Sequence, residues 1–449
     1  MISARDTYED KSFWFEGEPY SEAESLSGEN RVDVAIVGGG FTGLATAHFL
    51  KKLEPSLNIA LLEAQVIGYG ASGRNAGFSM TLFGLSLSVT ATLYGRERAL
   101  SAHRYMEEAV ETLERLVRDH GIDCDYERPG FLRVATTPTQ VRRIQNELEL
   151  ADRMGIRDVE WLDAERVRAE VDSPTYLGAW WEPRCGLVNP VKLARGMRTV
   201  VEGQGVAVYE RSPVTSLRLD RSPIALETPQ GRLLADRAVL ALNGYSHLLP
   251  QLRGRQVPAF THIVLTEPLP EEVREGIGWR GRQGIEDARS LVHYYRLTAD
   301  DRLLMGGRDV TLPYGDDMAH DRKERTFRAL EQDARRTFPQ LSEVRFTHHW
   351  GGPVSVPLQL VPALGHLPAD RRVFYSLGCM GHGVSLTQLN GLTLAELLLE
   401  RQSERTGQFF VDRRVIPWPG EPFRMGVAAV LRQAFRADDA WAERRGAGR

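Results

Sequence analysis

The sequence predicts a mixed α/β (α+β) protein. A parallel sheet is assembled from separated chain segments, and a second unit, with a mixed or antiparallel sheet and flanking helices, is inserted in pieces. Three observations predict this. Residues 31–64 run strand, tight glycine turn, helix, strand, the pattern of a parallel βαβ unit. A second strand–glycine–helix segment, VFYSLGCMGHGVSLTQLNGLTLAELLLE, closes the pattern at residues 373–400. Strands and helices of different character lie between the two.

The elements follow in order. VDVAIVG is a buried strand rich in β-branched residues, FTGLATAHFLKKL has helical apolar spacing, and IALLEA is a second short buried strand. GASGRNAGF, residues 70–78, is too glycine-rich for a helix and too poor in β-branched residues for a strand. Residues 97–120 form an amphipathic helix ending at Gly121, and residues 138–154 form another. A helix starts near Pro190, and a strand lies near Val206–Glu210. IALETPQGRLLADRAVLALN is a hairpin leading into a buried strand. HIVLTEPL, LVHYYRLT and RLLMGG are strand-like, and a charged helix covers about 320–336.

Composition narrows the function. The chain has 449 residues, 42% hydrophobic and 26% charged, which is ordinary soluble globular composition. A net charge of −4 gives no basic excess for nucleic acid. Three cysteines, Cys124, Cys185 and Cys379, have no CxxC spacing, which argues against a disulfide framework or a zinc site and fits a reducing cytoplasm. No apolar run approaches the ~18 residues of a membrane span. Residues 1–30 are acidic and aromatic and lack the charge and apolar blocks of a signal peptide.

VGGGFTGL supplies Gly38-x-Gly40-x-x-Gly43 directly between a strand and a helix. Gly38 permits the tight turn, Gly40 lets the backbone approach a pyrophosphate at the helix N-terminus, and Gly43 lets helix and sheet pack closely. Glu63 ends the next strand, where an acid accepts hydrogen bonds from ribose hydroxyls and disfavours a 2′-phosphate. The context is that of a Rossmann-like dinucleotide site, and the motif alone fits NAD and FAD alike. GASGRNAGF follows at the carboxyl edge of the sheet, where NAD-binding folds usually continue into a helix. Its glycines, Ser72, Arg74 and Asn75 suit a pyrophosphate, a ribityl chain and the polar edge of an isoalloxazine.

These stretches, with GLVNPVKLARGM, LALNGY, YYRLTADDRLLMGGRD and SLGCMGHGV in the same order, resemble the FAD-dependent amine and amino-acid oxidoreductases of the D-amino-acid oxidase superfamily. The pattern is most like the γ-glutamylputrescine oxidase type, with glycine oxidase and monomeric sarcosine oxidase more distant. The resemblance implies an FAD-binding domain built from residues 31–95, 180–250 and 350–402. It implies a substrate domain from 96–179 and 251–349, with extensions at 1–30 and 403–449. It also implies FAD held non-covalently, with its pyrophosphate at Gly38, Gly40, Phe41, Thr42 and Gly43, and its adenine end near Glu63, Ala64 and Val214. Ser72, Gly73, Arg74, Asn75 and Ala76 would lie near the flavin, with Asn243 beside them. Gly381, His382 and Gly383 would approach the pyrimidine edge, where the start of the following helix offers positive partial charge. His382 adds a donor there or caps backbone groups.

On the substrate side, alternation puts His293, Tyr295 and Leu297 on one face of a strand and Tyr294 and Arg296 on the other. The family builds its sheet over the flavin here, so Tyr294, Tyr295, Arg296 and His262 are the candidate substrate contacts; the competing expectation is core packing. His348 and His349 point to opposite faces of a strand and do not chelate a metal together, and no metal site is expected. Two departures stand out. Val356, Gln359 and Leu360 occupy a segment where relatives often carry polar Thr and Asp. No lysine lies between Lys192 and Lys323, whereas sarcosine oxidases use a lysine over the flavin to promote reaction with oxygen. Arg308 is a candidate replacement for that charge. The aromatic KSFWFEGEPY packs over the domain seam or lines the substrate entrance. The expected reaction is oxidation of a small-molecule amine to an imine, hydrolysed to an aldehyde or keto acid, in the cytoplasm. Electrons pass to O₂, giving H₂O₂, or to another acceptor. A dehydrogenase acting on a larger amine and a non-catalytic binding protein are the alternatives.

Overall fold

The computed structural model describes residues 7–17 and 19–446; the outermost parts of the expected terminal extensions, residues 1–6 and 447–449, lie outside them. Two eight-stranded sheets carry the fold. The first has the order Ala363–Leu367, Asp370–Leu377, Gly231–Leu240, Gly28–Val37, Ile59–Leu62, Ala207–Tyr209. Its inner strands pair in parallel. Val34 to Val37 and Ile59 to Leu62 are buried, as expected of a parallel sheet covered on both faces. One cover is the helix layer Phe41–Leu53, Arg96–His120 and Gly383–Leu398. A Cβ at Gly391 would lie 2.5 Å from that of Ala45, so the two cofactor-side helices touch backbone to backbone. The expected hairpin forms, with Ile224–Glu227 antiparallel to Gly231–Leu240. Gly121 ends the long helix in the left-handed conformation at φ 59°.

The second sheet runs Phe346–Val356, Val257–Thr266, Leu303–Thr311, His293–Leu297, Gly284–Asp287, Phe131–Ala135, Gly178–Glu182, Glu160–Asp163. All its pairs are antiparallel except Gly284–Asp287 with Phe131–Ala135. Gly178–Glu182 and Phe346–Val356 both belong here, so the expected boundaries at 180 and 350 fall inside strands of this sheet. Alternation in a short segment does not say which sheet a strand joins. The back face is closed by helix Glu324–Thr337 over a core of Tyr176, Trp279, Tyr295, Phe327 and Phe338. The front face meets the 70–78 loop through Ile263, Leu265, Leu304 and Trp350. The C-terminal helix Phe423–Gly446 rests on this unit: Asp438 takes Arg143 at 2.6 Å, and Asp439 accepts from the Ser290 amide. Among the described residues no helix is long and apolar enough to cross a membrane.

Candidate active site

The glycine turn is built for close approach. Gly38 has φ 113°, and a Cβ there would lie 2.6 Å from the Ala241 carbonyl. A Cβ on Gly43 would collide with the Gly38 carbonyl oxygen, and one on Gly40 would come 2.9 Å from Ser72 Oγ. Helix Phe41–Leu53 starts after Gly40, which has no side chain to cap it. Its first amide, Phe41 N, donates to Ser72 Oγ at 3.0 Å. Phe41 and Thr42 are buried, and the Thr42 carbonyl accepts from Thr46. Glu63 accepts from the Gly39 amide at 2.7 Å and the Gln65 amide at 2.9 Å. Desolvation, opposed by these bonds, pushes its carboxyl up to about 6. Ala64 is exposed at the end of the strand, and Val214 packs beside Leu242 at the edge of the first sheet.

GASGRNAGF forms a clamp rather than a free turn. A short 3₁₀ turn, Ala71–Gly73, opens it. Every carbonyl from Ala71 to Gly77 then has a protein donor. Asn75 Nδ2 reaches Ala71 O and Ser72 O, both at 3.0 Å. Ser12 Oγ reaches Gly73 O at 2.6 Å, and Trp350 Nε1 reaches Arg74 O at 2.9 Å. Trp14 Nε1 reaches Asn75 O at 2.9 Å, Arg296 Nη1 reaches Ala76 O at 3.3 Å, and the Val188 amide reaches Gly77 O at 2.9 Å. The Asn75 side chain is thus spent on the loop, accepting from Gly77 N as well. Its amide is used by three nearby backbone groups, Ala71 O, Ser72 O and Gly77 N, rather than offered to a ligand. The aromatic N-terminal segment packs against the loop: Trp14 and Phe15 are buried, and Phe15 lies against Gly73. Arg74 is buried, with Nε donating to Tyr69 O at 2.8 Å and Nη1 3.7 Å from Asp321; Nη2 has no hydrogen-bond partner among the described residues.

The C-terminal loop completes this side. Asn243, at φ 41°, donates to Cys379 Sγ at 3.1 Å. Gly381 is exposed at φ 92°, with nothing within 4 Å of where a Cβ would stand. His382 precedes helix Gly383–Leu398 without capping it, and its buried Nδ1 has no partner among the described residues. Burial holds that imidazole down at about 4, so it is neutral. Two helix starts that their own N-cap residues leave uncapped, an open glycine loop, and unpaired nitrogens on Arg74 and His382 suit an anionic dinucleotide carrying a polar heteroaromatic ring.

The substrate-side candidates separate. Tyr295 faces backward: it is 2% exposed, its hydroxyl pairs with that of Tyr176 at 2.8 Å, and its ring packs on Phe338. His262 also faces backward, with Nε2 3.1 Å from the His320 carbonyl and its ring against Phe327. Burial holds it down at about 4. Arg296 faces forward but is consumed by backbone: besides Ala76 O it donates to Val188 O at 2.8 Å and Leu297 O at 3.0 Å. Burial lowers it to about 10. Core and loop groups hold all three away from the front-face chamber, although Nδ1 of His262 has no hydrogen-bond partner among the described residues. Arg308 pairs with Asp333 on the back helix and places no charge over the front face. Gln359 holds the C-terminal segment, accepting from Ile416 N at 2.9 Å. His348 and His349 pair with Glu16 and Glu331.

Tyr294 is the candidate that remains on the front face. Its ring lies over Gly306, where a Cβ would clash, and meets Phe78 edge-on at 6.2 Å. The sheet register adds three residues that no local pattern singled out. Tyr294 pairs with Glu286, Glu286 with Arg133, and Arg133 with Trp180, so the four stand side by side in one row on one face. Glu286, Arg133 and Trp180 line a chamber closed below by Met80, Thr81 and Leu82, and Tyr294 stands next to it in the row.

Against known proteins, the family model described as "FAD dependent oxidoreductase" (DAO) matches residues 33–397. The chain belongs to the DAO family. It is an FAD-dependent oxidoreductase, and the glycine turn, the clamped loop and the Gly381 loop fit that cofactor. The chain is 34% identical over 403 residues to the gamma-glutamylputrescine oxidoreductase of Escherichia coli K12, covering 89% of this chain and 91% of that one. It is 24% identical to the sarcosine oxidase beta subunit of Rhodobacter capsulatus, over 86% of this chain and 89% of the subunit. The solved glycine oxidase of Geobacillus kaustophilus superposes with a TM-score of 0.73 at 22% identity, covering 86% of this chain and all of that one. That likeness extends the DAO fold across both sheets.

Proposed function

We propose that this DAO-family chain oxidises a small aliphatic amine to an imine, which water hydrolyses to an aldehyde or keto acid. Electrons pass to O₂ to give H₂O₂. The observation that carries the reading is the front face of the second sheet. It sets Tyr294 against Phe78 of the 70–78 loop and next to a chamber lined by Glu286 and Arg133, in a chain similar over 89% of its length to a gamma-glutamylputrescine oxidoreductase.

Bound FAD supplies the acceptor for a hydride from the carbon bearing the amine. The chain's own residues do the rest. The first turn of helix Phe41–Leu53 and Glu63 hold the dinucleotide, and no lysine or histidine in the 70–78 loop offers an attachment point, which supports non-covalent binding. The uncapped start of helix Gly383–Leu398 offers its dipole to negative charge developing on the ring. Tyr294 and Phe78 wall the front face and exclude water, and such burial favours the neutral amine that the reaction requires. Three buried cysteines, none in a disulfide, support a cytoplasmic setting.

One observation favours a dehydrogenase instead: no lysine lies between Lys192 and Lys323, the stretch that supplies four of the eight strands of the second sheet. The test is a visible spectrum followed by anaerobic addition of putrescine derivatives, N-methyl amines, glycine and D-amino acids. Bleaching by amines and recovery in air is the expected result. Recovery only with a dye acceptor makes the enzyme a dehydrogenase, and a protein that takes up no flavin overturns the reading.

A further inference from the structure

Glu286 is an unusual carboxyl. It stands on the front face in the row Trp180, Arg133, Glu286, Tyr294, and it is 8% exposed. No hydrogen bond or ion pair to its side chain exists among the described residues, yet it lines the chamber. The neighbouring cation, Arg133, is already committed to Glu147 at 3.0 Å. The other two buried carboxyls here are both partnered, Glu147 by Arg133 and Glu182 by the Thr81 hydroxyl at 2.6 Å. A buried carboxyl without a partner costs free energy unless a ligand completes it.

Both flavin-side loops lie close to the wall of this chamber. Phe78, at the end of the 70–78 loop, meets Tyr294 and lies under Gly284, beside Phe131. His382 of the C-terminal loop lies within the field of Arg133. The arginines that could have received a carboxylate are occupied, Arg133 by Glu147 and Arg296 by backbone carbonyls. The chamber is therefore furnished for a cation and not for the carboxylate of an α-amino acid.

We propose that Glu286 receives the ammonium group of the substrate and accepts its proton, and that the substrate is an aliphatic amine with no carboxylate on the reacting carbon. This deepens, and rests on, the amine-oxidising function proposed above. The step balances without any redox partner: the N–H bond breaks, its electron pair stays on nitrogen, and the proton passes to a Glu286 oxygen, leaving a neutral amine and a neutral acid. Burial, eased by Arg133 and reinforced by Asp287 behind the strand, pushes Glu286 up to about 7, within reach of a proton acceptor at working pH. The other groups around the chamber that titrate or carry charge are Arg133, Glu147, Glu182, His103, Cys185 and Tyr294.

The test compares wild type with Glu286→Gln, which keeps shape and removes the charge. In anaerobic flavin reduction by an amine the variant loses about 100-fold in kcat/KM. It also loses the rise in kcat/KM through about pH 7 that wild type shows. Glu182→Gln, on the same wall, keeps that rise. A second measurement needs no variant. tert-Butylammonium has no hydrogen on its nitrogen-bearing carbon and cannot be oxidised. Its calorimetric affinity for the wild-type holoenzyme rises about tenfold from pH 6 to pH 8, as a carboxyl near 7 ionises. Equal affinity at both pH values, or a Gln variant with unchanged kcat/KM and pH profile, overturns the role of Glu286. Faster reduction by glycine or D-amino acids than by simple amines overturns the substrate class. If no amine reduces wild type at all while tert-butylammonium still binds with this pH dependence, the amine-oxidising function fails and the cation site stands.

Discussion

Neighbouring residues of strand His293–Leu297 serve two different regions. On the back face, His293 bridges Asp287 at 2.8 Å and Asp333 at 3.0 Å, and Tyr295 pairs with Tyr176 in a closed core. On the front face, Arg296 is committed to the cofactor-side loop, while Tyr294 stands beside a carboxyl that has no partner. The back face satisfies every charge it buries at this strand and so serves stability. The front face leaves one group unpaired, and that incompleteness is where a ligand fits.

Breaking the back face gives an effect as large as any. His293→Leu removes the bridge between two buried carboxylates, leaving Asp287 with Arg289 and Asp333 with Arg308 and Arg336, and costs about 3 kcal/mol of stability at pH 6, measured by urea unfolding. Burial alone would lower His293, but Asp287 and Asp333 raise it to about 9. Its contribution is therefore complete below the unfolded value of about 6.5 and is lost as pH rises through about 9, so the gap between wild type and variant narrows at pH 9.5. Next is Arg296→Met, which removes the donors of buried carbonyls. It costs about 3 kcal/mol and weakens FAD binding roughly tenfold, read by flavin fluorescence on dilution.

The paired tyrosines sharpen the comparison. Tyr295→Phe loses about 1 kcal/mol of stability and leaves kcat/KM unchanged. Tyr294→Phe unfolds within about 1 kcal/mol of wild type but loses about tenfold in kcat/KM for the amine. Kinetics that respond to Tyr295 and not to Tyr294 would invert the assignment of faces. The smallest change is Trp14→Phe, which removes one donor to the loop at a partly open site. It costs about 0.5 kcal/mol, and FAD dissociates faster in stopped-flow displacement.

Much of the cofactor side was legible in sequence because its signals are local. Gly38, Gly40 and Gly43 sit at fixed offsets, Glu63 ends the next strand, and Gly381 precedes a helix. Asn75 misled because a side chain rich in donors looks the same whether it serves a ligand or its own loop. The alternation of Tyr294 with Tyr295 was also legible, but parity does not say which face looks at the cofactor. Tyr295 and His262 therefore stood as candidates until the back helix, Glu324–Thr337, was in view. Glu286, Arg133 and Trp180 come from three strands spread over more than 150 residues of chain. Only the cross-strand register brings them together. The one local hint was GIED, a short strand with two adjacent acids.

The N-terminal segment has a consequence for the order in which the molecule is made. Ser12 and Trp14 donate to Gly73 and Asn75, and Lys11 reaches Asp321 at 3.0 Å. Synthesis proceeds from the N-terminus, and domains generally fold as they emerge. Two of its anchors lie only 61 residues along the chain, but the third lies 310 residues along it. The segment can therefore dock on the loop early, and it is fully held only after the second sheet has largely been made.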